Sequence, residues 1–138
     1  MVAYSFRPQF AEPVATLAKR QTVRAIGKRR HARPGEPVQL YTGMRTRQCR
    51  KLLDIDPVCT DVRPIEIVVD RFKGPIFTRM EIDGVSLSRW DINAFALADG
   101  FDLPGEAKSF AHLRMAHFWL EHHGEGAFEG VVIRWEPR

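Results

Sequence analysis

The sequence predicts an α+β domain: a small β-barrel or strongly bent mixed sheet with two to three flanking helices. Three observations predict it. Period-2 alternation dominates residues 1–82 and returns near the C-terminus. Helical spacing is confined to 9–18 and to 88–122. The chain of 138 residues holds one ordinary core and not two, so a single domain spanning 1–138 is expected.

Taken in order, Tyr4-Ser5-Phe6 reads as a first strand closed by Arg7-Pro8. Residues 9–18 read as a helix, because Phe10, Val14 and Leu17 share a face and Pro13 falls in the first turn, where proline is tolerated. Thr22 to Ile26 alternates as a strand, Gly27 to Gly35 is an arginine-rich loop, and Pro34-Gly35 is a turn signal. Val38 to Thr42 is a strand with Val38 and Leu40 on one face, followed by a turn over Thr42 to Thr46. Cys49 to Leu53 and Thr60 to Asp70 read as further strands, and Pro64 places the start of the second on a sheet edge.

Lys73-Gly74-Pro75 turns the chain. Ile76, Thr78, Met80 and Ile82 then line one strand face before an Asp83-Gly84 hairpin turn. Ser88 caps a helix over Arg89 to Ala98, with Asp91 at its third position and Asp99-Gly100 ending it. Residues 105–122 read as the longest helix, with Phe110, Leu113, His117 and Leu120 along one stripe that Met115, Phe118 and Trp119 widen. Phe128 to Trp135 closes the domain as a strand. The aromatic residues at core spacing are assigned to packing, and Trp90, at a helix start, is the one left over.

No apolar run is long enough for a transmembrane helix. MVAYSFRPQF lacks the charged start and apolar stretch of a secretory signal, so a cytoplasmic protein with no membrane partner is expected. Cys49 and Cys59 form no CxxC pair and are expected as free thiols. The histidines read as structural or surface groups, since His112 and His117 are five apart rather than four. No metal site and no cofactor are expected, and no GxGxxG, Walker A, HExxH or EF-hand pattern is present.

Charge is the more informative signal. The net charge is +4, yet residues 19–51 carry eleven cations against Glu36 alone. Cations segregated in this way indicate a polyanion or an anionic ligand, the plain alternative being a solvated basic face. Within that window Lys19 stands three positions before Thr22 and Arg24 two after it. Strand residues two apart point the same way, so Thr22 and Arg24 share a face that the long Lys19 side chain can cover. A lysine of lowered pKa can activate a threonine hydroxyl, and nearby cations help to lower it. On spacing alone, a phosphate-binding strand edge without chemistry is the preferred reading.

The chain resembles the ASCH family, whose barrel is similar to that of PUA domains. Three segments carry the resemblance. A short helix leads into Lys19-x-x-Thr22-x-Arg24, similar to the family's GxKxxTxR motif, with Ala18 or Leu17 where that motif has glycine. Pro34-Gly35-Glu36 leads into the 38–42 strand, like the family's G-(D/E) segment. Phe95 to Phe101 resembles its A-x-x-(D/E)-G-F helix end, followed by an aromatic helix and a closing strand.

The resemblance implies a PUA-like domain with a cleft facing RNA or a nucleotide. The expected activity is metal-independent ribonuclease hydrolysis, with Lys19, Tyr41 and Arg47 supplying the base and cations. One alternative is an N4-acetylcytidine amidohydrolase, in which Thr22 is the nucleophile, Lys19 its base or oxyanion partner, and Asp99 an orienting or proton-transferring carboxylate. Asp99 stands where the known enzymes of that kind carry glutamate. A second alternative is a non-catalytic RNA-binding module. The expected partner is therefore RNA or a modified cytidine nucleoside. The site residues are Lys19, Thr22, Tyr41 and Asp99, with Arg20, Arg24, Lys28, Arg29, Arg30, Arg45 and Arg47 expected to hold nucleic acid. Tyr41 reads equally as a half-buried strand tyrosine, and Arg45 and Arg47 as a solvated turn.

Overall fold

The computed structural model describes residues 2–71, 74 and 76–138. The expected Lys73-Gly74-Pro75 turn lies largely outside these residues. Among the described residues eight strands form two sheets that do not close into a barrel, flanked by helices. The α+β class with flanking helices is as expected, with two open sheets in place of a closed barrel.

The smaller sheet joins β1 (Val2–Phe6), β3 (Val38–Thr42) and β4 (Arg50–Lys51), with β1 and β3 parallel and β3 and β4 antiparallel. The larger sheet runs in the order β2 (Gln21–Ala25), β8 (Gly126–Glu136), β5 (Val58–Asp70), β6 (Ile76–Ile82) and β7 (Val85–Ser86), antiparallel throughout. Alternation builds the inner faces. Tyr4 and Phe6 in β1, Val38 and Leu40 in β3, and Ile65, Ile67 and Val69 in β5 are all buried. Val132 and Ile133 are adjacent and both buried, so β8 is covered on both faces at that point.

Pro64 behaves as its position requires. Its carbonyl accepts the Asp83 N–H at 3.0 Å, and β6 pairing begins only at Ile65. The missing donor therefore faces the side on which no ladder continues, although β5 is otherwise an inner strand. Asp83 and Gly84 have φ of 53° and 75°, the left-handed pair that a two-residue hairpin turn needs.

Four sequence expectations change. The first helix is shorter than 9–18: a 3₁₀ turn over Pro8–Phe10 leads into α1 (Ala11–Ala15), and Leu17 at φ 65° prevents its continuation. On β6 the register shifts between Val68 and Val69, so Phe77 rather than Thr78 comes opposite buried Val69 and Thr78 is exposed. The long helix begins at Ala111, as α3 (Ala111–His123), after a 3₁₀ turn over Lys108–Phe110. Its buried face is Ala111, Met115, Ala116 and Trp119, whereas Phe110, Leu113 and His117 are exposed. The Cys49 to Leu53 strand reduces to Arg50–Lys51.

The helix α2 (Arg89–Ala96) starts as expected, with Ser88 Oγ accepting the Asp91 N–H at 3.1 Å. It widens into a π turn over Leu97–Phe101. Trp90 remains exposed.

Strand β2 approaches β8 closely at Gly130, where a Cβ would lie 2.3 Å from the Arg24 carbonyl oxygen. Gly130→Ala is expected to cost about 1–3 kcal/mol in urea denaturation, because one backbone must move away from the other. Gly27→Ala, with nothing within 4 Å of the new Cβ, should stay within about 0.5 kcal/mol of the parent.

Candidate functional site

Two chain turns aim the central side chains. After α1, Leu17 reverses the backbone and the Lys19 N–H bonds the Pro13 carbonyl at 2.9 Å. This turns the Lys19 side chain inward, where it is 2% exposed. On the other side Gly100, at φ 102°, ends the widened turn after α2. A Cβ there would lie 3.0 Å from Lys19 Cδ and 2.9 Å from Phe10 Cδ1. Glycine thus supplies both the backbone angle and the space through which the lysine stem passes.

Lys19 Nζ donates to the Asp99 carbonyl at 2.5 Å and lies 3.2 Å from Asp99 Oδ1. Gln21 Nε2 donates to the same Oδ1 at 3.2 Å. The ammonium lies 4.9 Å from the centre of the Phe10 ring and 5.8 Å from that of Phe6. Asp99 is likewise buried.

On β2, Arg24 Nε donates to Thr22 Oγ1 at 3.1 Å, the shared face that period-2 spacing predicts. Its NH2 donates to the Ser5 carbonyl at 2.7 Å, and its guanidinium carbon lies within 5.3 Å of the Tyr4 and Phe6 ring centres.

Electrostatics follow from burial. Desolvation lowers the pKa of Lys19, opposed by Asp99 and reinforced by Arg24. Desolvation raises that of Asp99, opposed by Lys19, Gln21 and Arg24. Both members of the pair are thereby pushed toward their neutral forms.

These groups line a cleft of about 310 Å³, at the small end of the range for ligand sites. Phe118, Trp119 and Phe128 form its aromatic wall, with His123 stacked on Trp119 at 4.3 Å between ring centres. Two larger hollows of about 630 and 700 Å³ lie along α3. None of the buried polar or charged groups lines them, so the chemistry points to the smaller cleft.

Lys19, Thr22, Arg24 and Asp99 therefore come together. Lys19 bonds Asp99 rather than Thr22, whose oxygen is held by Arg24. Tyr41 does not line the cleft. It is half-buried and lies opposite Lys51 across the β3–β4 pair, as it must when Val38, Leu40 and Thr42 point inward. Arg45, Arg47, Lys28 and Arg29 are exposed and also outside the cleft.

Two of the expected cations are already paired. Arg20 holds Glu136 at 2.5 Å, and Arg30 grips both Glu36 oxygens at 2.7 and 2.8 Å. With the Arg33 N–H as a further donor, Glu36 is lowered to about 2.

Gln21, Arg7, Phe128 and His123 were not expected at the site. For His123 the available signal is its spacing of four from Trp119 on α3. Both cysteines are free; Cys59 is buried and burial raises its thiol, while Cys49 is exposed. Among the described residues no group of three or more His, Cys, Asp or Glu is arranged to hold a metal. No described helix is long and apolar enough to cross a membrane.

In comparisons with known proteins, no family model, no curated protein and no solved structure matches the chain.

The buried pair makes a stability prediction. Asp99→Asn removes the group that opposes the desolvation of Lys19, so Lys19 is driven further toward its neutral form and the imperfectly paired buried amine should cost about 1–3 kcal/mol in urea denaturation. The double variant Lys19→Met, Asp99→Asn removes both ionisable groups and should return to within about 1 kcal/mol of the parent.

Proposed function

We infer that the cleft hydrolyses the acylated exocyclic amine of a cytosine-type base, the N4-acetylcytidine class of substrate. The observation that carries this reading is the buried Lys19–Asp99 pair beside the Arg24-held hydroxyl of Thr22, within one nucleoside-sized cleft walled by aromatic rings. A flat base fits against such walls. The resemblance to the ASCH family is consistent with it. Leu17, at the position of that motif's glycine, holds φ 65°, in the left-handed region that glycine favours. Asp99 is a methylene shorter than the glutamate of the family's enzymes, yet its Oδ1 is 3.2 Å from Lys19 Nζ.

The chemistry follows from sharing one proton. With that proton on Asp99, Lys19 is a free base and Asp99 a carboxylic acid. Thr22 Oγ attacks the acyl carbon and gives its proton to Lys19. Arg24 stabilises the charge that develops. Asp99 protonates the departing amine of the base, leaving an ester on Thr22. Water then attacks that ester, giving a proton to Asp99, while Lys19 returns its proton to Thr22 and the free acid leaves. A ribonuclease built on Lys19, Tyr41 and Arg47 has less support, because Tyr41 and Arg47 do not line the cleft.

The test is incubation of the EDTA-treated protein with N4-acetylcytidine and, separately, with a mixed-sequence RNA. Release of cytidine and acetate with the RNA intact is the expected result. RNA cleavage with the nucleoside untouched overturns the reading in favour of the ribonuclease. Thr22→Val should lower kcat/KM about 1,000-fold or more, whereas Thr22→Ser should retain most of it. Turnover of this neutral substrate should vary little with salt.

The pH profile of kcat/KM should be bell-shaped. The reactive pair holds one proton: activity falls in acid as the pair takes up a second and falls in alkali as it loses the last. The lowered Lys19 and raised Asp99 place the active window between the ordinary aspartate and lysine values.

A further inference from the structure

A second depression adjoins the cleft. It has a volume of about 840 Å³ and shares Ser5, Phe6, Arg7 and Arg24 with the first. Its lining includes Arg7, Arg24 and Arg50 and no carboxylate. Neither Arg7 nor Arg50 forms an ion pair among the described residues. Arg24 spends Nε on Thr22 and NH2 on the Ser5 carbonyl, so its NH1 has no hydrogen-bond partner among the described residues.

The far wall is a firm one. Thr46 donates to the Gly43 carbonyl through N–H at 3.0 Å and through Oγ1 at 2.6 Å, and it accepts the Gln48 N–H at 3.2 Å. Gly43 sits at φ 66°, where a Cβ would come 2.9 Å from the Gln48 carbonyl oxygen. The Met44 N–H bonds Ser5 Oγ at 3.3 Å, tying this turn to β1.

Three guanidiniums around an acid-free groove match phosphate oxygens, which arginine binds through its fork of N–H donors. The groove is also far larger than the cleft it opens from. We propose that this groove binds the sugar–phosphate backbone of a single-stranded RNA whose modified base occupies the cleft, with Arg7, Arg24 and Arg50 on its phosphates. This rests on the nucleoside reading of the cleft and extends it: the substrate is a base within a strand. Arg24 then has two roles, touching the backbone on one side and the Thr22 hydroxyl on the other. Arg45 and Arg47 lie in the turn that forms the groove's wall without lining the groove themselves.

The experiment has a catalytic arm and a binding arm. The first compares kcat/KM for N4-acetylcytidine, its 5′-monophosphate and a four-residue RNA carrying the same base. The expected order is RNA highest and nucleoside lowest, with at least about a tenfold span. Arg50→Gln and Arg7→Gln should each lower the RNA-to-nucleoside ratio about fivefold or more. The second arm measures anisotropy of a labelled four-residue RNA without the acetyl group. Its binding should weaken with salt, and each variant should reduce the log–log slope by about 0.7, the share of one phosphate on a single strand.

If neither variant moves the ratio or the slope, the groove proposal is overturned. If the monophosphate is turned over as well as the RNA, the site takes a nucleotide and the strand proposal fails. If nothing is hydrolysed but RNA binding depends on Arg7 and Arg50, the groove stands and the hydrolase reading falls.

Discussion

The buried pairing of Lys19 with Asp99 is the constraint around which the rest is arranged. It needs a lysine turned inward after α1, a widened turn after α2, and a glycine beside that turn to let the lysine stem pass. Gln21 and the rings of Phe6 and Phe10 complete its surroundings. Burial of opposite charges generally adds little to stability, because desolvation offsets their attraction. On the function proposed for the cleft, the pair is better understood through the chemistry it would permit. Burial pushes Lys19 and Asp99 toward their neutral forms, which on that proposal suits an acid and a base acting together.

Arg24 links this pair to the surface. Its backbone is fixed by close approach to Gly130, and its side chain bridges Thr22 and Ser5. The basic window of the sequence consequently divides into groups with different surroundings. Lys19 and Arg24 are drawn inward, Arg20 and Arg30 are neutralised by Glu136 and Glu36, and Arg50 faces the open groove. Net charge alone does not distinguish these groups.

Much of the fold was legible because its signals are local. Ile65, Ile67 and Val69 alternate, Asp83-Gly84 is a hairpin turn, and Ser88 caps α2. The site was legible where periodicity decides it, in the face shared by Thr22 and Arg24; the same alternation, with Val38 and Leu40 inward, sends Tyr41 away from the cleft in which it was expected. The Asp99 partner came from family resemblance, since nothing local connects residues 80 positions apart. The burying face of α3 was legible only in part, because both of its sides carry apolar groups: Met115 and Trp119 pack inward together with two alanines, while Phe110 and Leu113 stay exposed. The bulge in β6 reverses the facing of Phe77 and Thr78 through strand pairing, which no short window reveals.

The pairing of β2 only with β8 has a consequence for how the molecule comes into being. The strand that carries Thr22 and Arg24 is made before β3 to β7, and its partner only after them. Until then its backbone donors and acceptors have no ladder to join, and Lys19 must wait for the turn at Asp99. Assembly of the site is thus dominated by distant contacts, the kind that slows folding. A nascent chain consequently carries no working fragment of the cleft: hydroxyl, lysine and carboxylate become neighbours only when the outermost strand of the large sheet closes against β8.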